Sequence, residues 1–395
     1  MSKALEVSEE QGLWFRARRL HLAGPGASDA GQAARDLLGA QAQLEAAGLH
    51  ALSLRSADRP TAAALRARLY EPGRDLVRVW GQRDTLHLYD AASDWAQVIA
   101  AIRLWSQSGR RGTMPEDALL GEILRVFEEA GRPLTRSELF GAIPTSYIEE
   151  VAKHPNAGDD PQRFAATRLV WRLTKLGHLS QGPMQGAQNL YAARSVWFGH
   201  VAWPAQDEDE VCVALTRRYL RVCAPATAQD VAHHFGARVS DAKRWLEVLR
   251  PELVEVSCAG RKGLVALRED ADALREPAPA EGSEAWPLRL LPLYDTMLMM
   301  HADKRWTVPD PAEEKQVWRK AAYVAATVVE RGRLAATWVH EVERPKKGPA
   351  RVHLTVEPMR RYRPDMLPSI EREAEALARH LGCEGGAVVG VSAWA

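Results

Sequence analysis

One order of predicted elements comes back three times along the chain, and this recurrence limits the fold more than any single motif. In the first pass Ser8, followed by Glu9 and Glu10, opens a helix over 8–22. Gly24-Pro25-Gly26 breaks it, Ser28 or Asp29 caps a second helix over 29–38, and Gly39 stops that one. Residues 49–55 read as extended, 61–70 as a third helix ended by Pro72-Gly73, and 76–80 and 85–89 as strands joined through Gly81 to Asp84. In the second pass a helix over 116–130 leads through Gly131 to Thr135 into a short helix capped by Thr135. A longer helix over 161–177 follows, then a hairpin over 178–193 with turns at Gly182-Pro183 and Gly186. In the third, a helix over 208–221 leads through Ala224 to Thr227 into a helix over 228–235, Ser240 caps another over 241–249, and 253–267 forms a hairpin. The caps Thr135 and Thr227 lie 92 positions apart, and Ser28 precedes Thr135 by 107. Helices followed by a hairpin, repeated at domain size, is the order of a winged helix-turn-helix unit.

Residues 271–284 have a linker's composition, and beyond them the pattern changes. Segments 287–294, 322–329, 333–342 and 350–356 are strand-like, the last two joined by a Pro-Lys-Lys-Gly turn, and a helix over 365–381 ends at Gly382. The fold class is therefore read as α+β: three tandem winged helix-turn-helix units followed by a β-rich, barrel-like C-terminal domain. The boundaries are 1–95, 96–204, 205–275 and 276–395.

Bulk properties exclude more than they indicate. Lys and Arg number 52 against 51 Asp and Glu, a net charge of +1, so nucleic-acid binding must come from local charge patterning. The four cysteines, Cys212, Cys223, Cys258 and Cys383, form no C-x-x-C pair, which fits a reducing cytoplasm. The acidic, polar start is not a signal sequence, and no run reaches the roughly 18 apolar residues that span a bilayer. G-x-S-x-G, P-loop, G-x-G-x-x-G and H-E-x-x-H motifs are absent.

The chemistry-bearing stretches are short. Gln41-Ala42-Gln43 follows Leu37-Leu38-Gly39-Ala40 at a predicted helix end. Alone, such a tripeptide is an ordinary helix surface. In a helix, residues two apart point about 200° apart and two glutamines cannot share a site; on an extended segment they share a face. On the hairpin after it, alternation puts Thr85 and His87 on one face and Leu86 and Leu88 on the other. Polar residues turned outward are the bland alternative to a ligand site. Asp295, His301 and Asp303 sit within a few positions of one another, but no H-x-x-H pattern or second cluster makes them a metal set. Arg163, Arg168, Arg172 and Lys175 make a basic stripe on one predicted helix, either a solvated face or a track for phosphates. Arg261-Lys262, Lys346-Lys347 and Arg360 add basic points able to meet a DNA backbone or minor groove.

Four motifs in register carry a resemblance: Gln41-Ala42-Gln43; Arg83-Asp84-Thr85-Leu86-His87-Leu88; Pro292-Leu293-Tyr294-Asp295 with Asp303-Lys304-Arg305; and Thr355-Val356-Glu357-Pro358-Met359-Arg360. Over nearly its whole length the chain resembles the tandem winged-helix DNA glycosylases of the AlkZ/YcaQ type, in their Gln-Φ-Gln branch. It departs from the family's usual Arg-Gly-Thr-Leu-His, since Asp84 stands at the glycine and adds a negative charge. The resemblance implies a concave DNA-binding face, an open groove rather than an enclosed pocket, and excision of alkylated purines, especially N7-linked adducts. In some members it extends to unhooking interstrand crosslinks. It makes Gln41 and Gln43 catalytic, with Thr85, His87 and Asp295 in support. Arg83 and Arg305 join the basic residues named above as DNA contacts.

The chemistry suits glutamine. A purine alkylated at N7 or N3 is cationic and leaves as a neutral molecule, so no strong general acid is required, while the sugar gains oxocarbenium character. The site must orient a water and stabilise charge. Two glutamines can do this weakly through their carbonyl oxygens, with Gln43 expected to position the water and Gln41 to hold the water or the sugar oxygens. Since no lysine lies near this motif in sequence, a monofunctional enzyme is expected. The expected partner is double-stranded DNA carrying alkylated purines, with no cofactor, no metal, no membrane and no obligate protein partner, in a cytoplasmic monomer. The same repeats also fit a winged-helix regulator without catalysis, or a protein-binding scaffold.

Overall fold

Helices start where side chains satisfy the first free amides. Ser8 and Gln11 form a reciprocal capping box at the head of the helix Glu9–Arg19. Asp29, Thr61, Asp160, Asp207 and Thr227 cap Ala30–Asp36, Ala62–Tyr70, Pro161–Lys175, Glu208–Cys223 and Ala228–Phe235. The computed structural model describes residues 4–105 and 117–392, which have an α+β architecture. Three antiparallel hairpins follow three groups of helices: Leu76–Trp80 with Leu86–Asp90, Leu179–Gln185 with Gln188–Ala193, and Leu253–Cys258 with Arg261–Leu267. In each, the second strand takes a further partner from the chain just ahead of a helix. Ala40–Gln41 pairs with Leu86–Asp90, Leu134 bridges Tyr191, and Ala226 bridges Val265. The counterpart of Thr135 and Thr227 in the first copy is therefore the stretch just after Gln41, not Ser28.

Several sequence expectations change. Residues 49–55 belong to the helix Glu45–Arg55, in which every residue from Ala47 to Arg55 is buried. Ser240 is no cap, since Val239–Val248 starts after Arg238 without a side-chain bond. Gly182-Pro183 lies inside a strand where the register shifts, and the turn falls at Gly186. The predicted start at 116 lies outside the described residues, and the helix itself covers Asp117–Ala130. The helix Trp95–Trp105 and the strand Ala387–Val391 had not been expected.

The C-terminal strands do not close into a barrel. They form an open five-stranded sheet in the order Ala387–Val391, Arg351–Pro358, Arg333–Glu343, Thr327–Glu330, Arg289–Leu291. The outermost strand runs parallel to Arg351–Pro358, so the chain has to cross over, and the helix Leu367–His380 makes that crossing. A helix filling the space between two sheet edges leaves those edges apart.

Burial decides how the parts meet. The second copy has its own core, including Phe127, Leu139, Leu169 and Tyr191, and the C-terminal sheet and helix have another around Trp338, Leu354 and Ile370. The first and third copies share one core, in which Phe15, Leu49, Tyr89 and Trp95 pack with Tyr219, Phe235 and Trp245. Arg16, fully buried, ties them further by donating to the carbonyls of Cys223, Ala224 and Pro225. This shared core brings the third copy's helix Ala228–Phe235 under the turn of the first copy's hairpin.

Candidate active site

The Gln-Ala-Gln stretch begins extended and bends at Gln43. Ala40 and Gln41 form a short strand with Gln41 opposite His87, and the Ala42 amide donates to the Leu86 carbonyl at 2.7 Å. Ala40 and Ala42 are wholly buried on one side. Alternation sends Gln41 to the other side, and Gln43, at the bend, brings its amide back to the same hairpin at the Leu86 nitrogen. Gln41 is 7 % exposed, whereas Gln43 and Leu44 stand in solvent. Gly39, at φ +93°, turns the chain from helix to strand. A Cβ there would lie 2.3 Å from the Tyr89 ring, and one at Gly81 would lie 1.9 Å from the Tyr89 hydroxyl, so both glycines make room for that side chain.

Both glutamine amides are oriented by groups that can only donate. Arg83 Nη2 donates to Gln41 Oε1 at 2.8 Å, and the Leu86 amide donates to Gln43 Oε1 at 3.2 Å. Each side-chain oxygen is thereby turned toward the protein with one lone pair engaged, and each NH2 is turned away from that donor. Arg78, nearly buried, holds the backbone of the same stretch by donating to the carbonyls of Ala42 (3.1 Å) and Gln43 (3.3 Å).

The hairpin turn Gln82–Asp84 is under backbone strain, with Arg83 at φ +56° and Asp84 at φ +54°. Both side chains are anchored to other copies. Arg83 reaches from Gln41 to the His234 carbonyl, at the end of Ala228–Phe235. Asp84 forms an ion pair with Lys175, at the end of Pro161–Lys175. The added carboxylate of Asp84 therefore meets an ammonium and does not bring an uncompensated charge to the site. Lys175 lies between the rings of Trp80 and Trp171; burial lowers its pKa and Asp84 opposes that shift. Burial likewise brings Arg83 down to about 10. His87, 1 % exposed, is pushed to about 3 by burial and then by Arg83, so it is a neutral ring whose Nδ1 donates to the Thr85 carbonyl at 3.0 Å. The Thr85 hydroxyl donates to the Gln82 carbonyl at 3.1 Å.

The structure thus gathers Gln41, Gln43, Arg83, Thr85 and His87, and reassigns several others. His87, opposite Gln41 on the neighbouring strand, is buried rather than on an outward polar face. Asp295 is fully buried and chelated by Arg55, with Nη2 at 2.8 Å and Nη1 at 2.9 Å, and it also caps the helix Thr296–Met299. Its carboxylate fastens the C-terminal region to Glu45–Arg55 and is not available to a substrate. Arg261 lies over Trp306 between Glu9 and Asp303, an internal tie rather than a phosphate contact. Lys175 leaves the basic stripe for the same reason: it is buried and paired. Arg163 is exposed, and Arg168 and Arg172 are half-buried. Lys262, Lys346 and Lys347 are exposed, while Arg305 and Arg360 are exposed but paired with Asp303 and Asp310. Asp295, His301 and Asp303 go to three different settings, His301 lying buried beside Trp306. Sequence reasoning missed Arg78 and the His234 carbonyl. Only a match of the third copy's helix to the first copy's hairpin points to His234.

Comparison with known proteins gives the family. The match in sequence makes the chain a DNA glycosylase, an enzyme of the N-glycosyl hydrolase kind, which removes the purely regulatory and scaffold readings. More narrowly, it belongs to the AlkZ-like DNA glycosylase family, whose model matches residues 34–380. It is similar to an interstrand DNA cross-link repair glycosylase of Streptomyces sahachiroi, at 26 % identity over 274 residues, 67 % of this chain and 70 % of that protein. Its fold is like that of the solved Streptomyces sahachiroi DNA glycosylase AlkZ, with a TM-score of 0.74 and 23 % identity over 98 % of this chain and 100 % of the other. No helix among the described residues is long and apolar enough to cross a membrane.

Proposed function

We propose that this chain is a monofunctional glycosylase that hydrolyses the N-glycosidic bond of N7- and N3-alkylated purines in duplex DNA, and that it unhooks interstrand crosslinks built on such adducts. The three helix-and-hairpin copies act as winged helices over 1–95, 96–204 and 205–275, with the C-terminal domain over 276–395 completing a DNA-binding face. The observation that carries this reading is the pair of glutamines whose amides both meet the hairpin, each oriented by a fixed donor. The second lone pair of Gln43 Oε1 accepts a hydrogen from the attacking water. The NH2 of Gln41 donates to a sugar or phosphate oxygen of the damaged nucleotide. Because the alkylated base is cationic before it leaves, its departure neutralises charge, and the weak polarity of two amides suffices to orient the water. Lys175, the lysine that the fold brings to this hairpin, is paired with Asp84, which favours water over an amine as the nucleophile. The relative's description as a cross-link repair glycosylase supports the crosslink part of the proposal.

The test uses duplex DNA containing N7-methylguanine, with abasic sites cleaved by alkali and read on a gel. Excision above the spontaneous rate is expected. Gln43→Ala is expected to lower it by about 100-fold, the scale for losing one preorganised polar group, with DNA affinity nearly unchanged. Failure of the wild type on several N7 and N3 adducts overturns the substrate assignment. Equal loss of affinity and rate makes Gln43 structural.

A further inference from the structure

We propose that Arg83 is a positioning residue: it fixes the Gln41 amide with its oxygen inward and its NH2 toward the substrate side, and it makes that orientation depend on the third helix-and-hairpin copy. This rests on the catalytic reading of Gln41 above. A free glutamine side chain presents either end of its amide, and the two ends differ only in exchanging oxygen for nitrogen. A guanidinium has no acceptor, so the end it meets must be the oxygen. Arg83 meets that end at 2.8 Å. Its other terminal nitrogen donates to the His234 carbonyl, so the guanidinium is held at both ends.

The backbone indicates that this placement is imposed. Arg83 holds φ +56°, and Asp84 beside it holds +54°, in a region that L residues avoid. Gly236, itself at φ +73°, lies against that backbone, where an added Cβ would stand 2.9 Å from Arg83 Cα and 3.0 Å from its nitrogen. Asp84 is held from the second copy by Lys175. The hairpin turn is clamped from two sides, and the clamp ends on one amide oxygen of the site. An arginine that contacts DNA needs a free edge for phosphate; this one spends both terminal nitrogens inside the protein.

The test compares the wild type with Arg83→Met, which keeps the bulk and removes every donor, with Arg83→Lys, and with Gly236→Ala, which presses on the Arg83 backbone from the third copy. Thermal melts confirm that each variant is folded. Arg83→Met is expected to slow single-turnover excision of N7-methylguanine by at least about tenfold, with DNA affinity and its salt slope unchanged and with partial recovery in Arg83→Lys. Gly236→Ala is expected to lower the rate in the same direction. The Gln41→Ala/Arg83→Met double variant is expected to match Gln41→Ala alone, since an effect exerted through Gln41 disappears with it. An independent readout is the Gln41 side-chain NH2 resonance pair in protein labelled with 15N-glutamine, assigned by its loss in Gln41→Ala. It should move in Arg83→Met and in Gly236→Ala. Additive rates in the double variant, a salt slope reduced by about one (the signature of a lost phosphate contact), or an unmoved resonance pair would each overturn the proposal. If Gln41→Ala excises at the wild-type rate, the catalytic reading of Gln41 fails, while the resonance pair still reports whether Arg83 holds the amide.

Discussion

At the hairpin turn one residue carries two opposed effects. Asp84 holds a left-handed backbone, at a cost of about 1–2 kcal/mol for an L residue, yet its carboxylate partners Lys175, whose side chain is 5 % exposed. Asp84→Gly relieves the strain but leaves the ammonium buried and unpaired, which typically costs about 3–5 kcal/mol. The expected result in urea denaturation is a net loss of about 2 kcal/mol, with most of it restored in Asp84→Gly/Lys175→Met. A stabilised single variant would show that Lys175 finds water or another partner instead. Residue roles at this scale were unevenly legible in the sequence. Gln41 and Gln43 are two positions apart, and the demand for an extended backbone follows from that spacing alone. Arg83 reads as a DNA contact because arginine near a motif usually is one, whereas its partners Gln41 and His234 lie 42 and 151 positions away. The pairing of Asp295 with Arg55, 240 positions away, is equally hidden from a linear reading.

Among the elements, the helix Glu45–Arg55 breaks a local rule. Its N-cap is Leu44, 51 % exposed and without a side-chain cap bond, where a serine or aspartate would satisfy a free amide. Leu44→Ser is expected to stabilise the first turn by about 1 kcal/mol, seen as roughly fivefold slower exchange of the Ala46 amide, since those of Ala47 and Gly48 already donate to the Leu44 carbonyl. Unchanged exchange would mean that the serine hydroxyl does not reach that amide. The same helix shows where periodicity fails as a signal. A helix buried on all sides carries no polar face, so the run Leu49 to Arg55 offers no 3.6-residue alternation and reads as a buried strand. Hairpins and capped helices were legible because glycine, proline and capping side chains mark their ends. Four of the five strands of the C-terminal sheet were legible singly, but the fifth and the open edge were not. Both turn on Ala387–Val391 adding in parallel behind a helix, a long-range pairing that no local pattern encodes.

For the whole molecule, the seams between parts hold neutral histidines. His50 and His380 stack at 5.6 Å between the first copy and the C-terminal helix, and His87, His234 and His301 lie buried where the first and third copies meet. Burial lowers the pKa of all five below the ordinary 6.5, that of His87 to about 3. A neutral histidine that protonates only when the chain unfolds gives stability that is complete above about pH 6.5 and is lost as pH falls through the window toward the folded values. Each contributes up to about 1.4 kcal/mol per pH unit. Melting temperature is therefore expected to hold between pH 7 and 8 and to fall steadily from pH 6.5 to 5, before most carboxylates titrate. A flat profile to pH 5 would place these rings in protonatable settings. The ion pair of Asp84 and Lys175 has a different kind of consequence. It joins two copies across 91 positions, so the second copy is not a freely exchangeable module. A second copy grafted in without a lysine at this place would leave the acid without its base, so a chimera built on this chain has to keep positions 84 and 175 together.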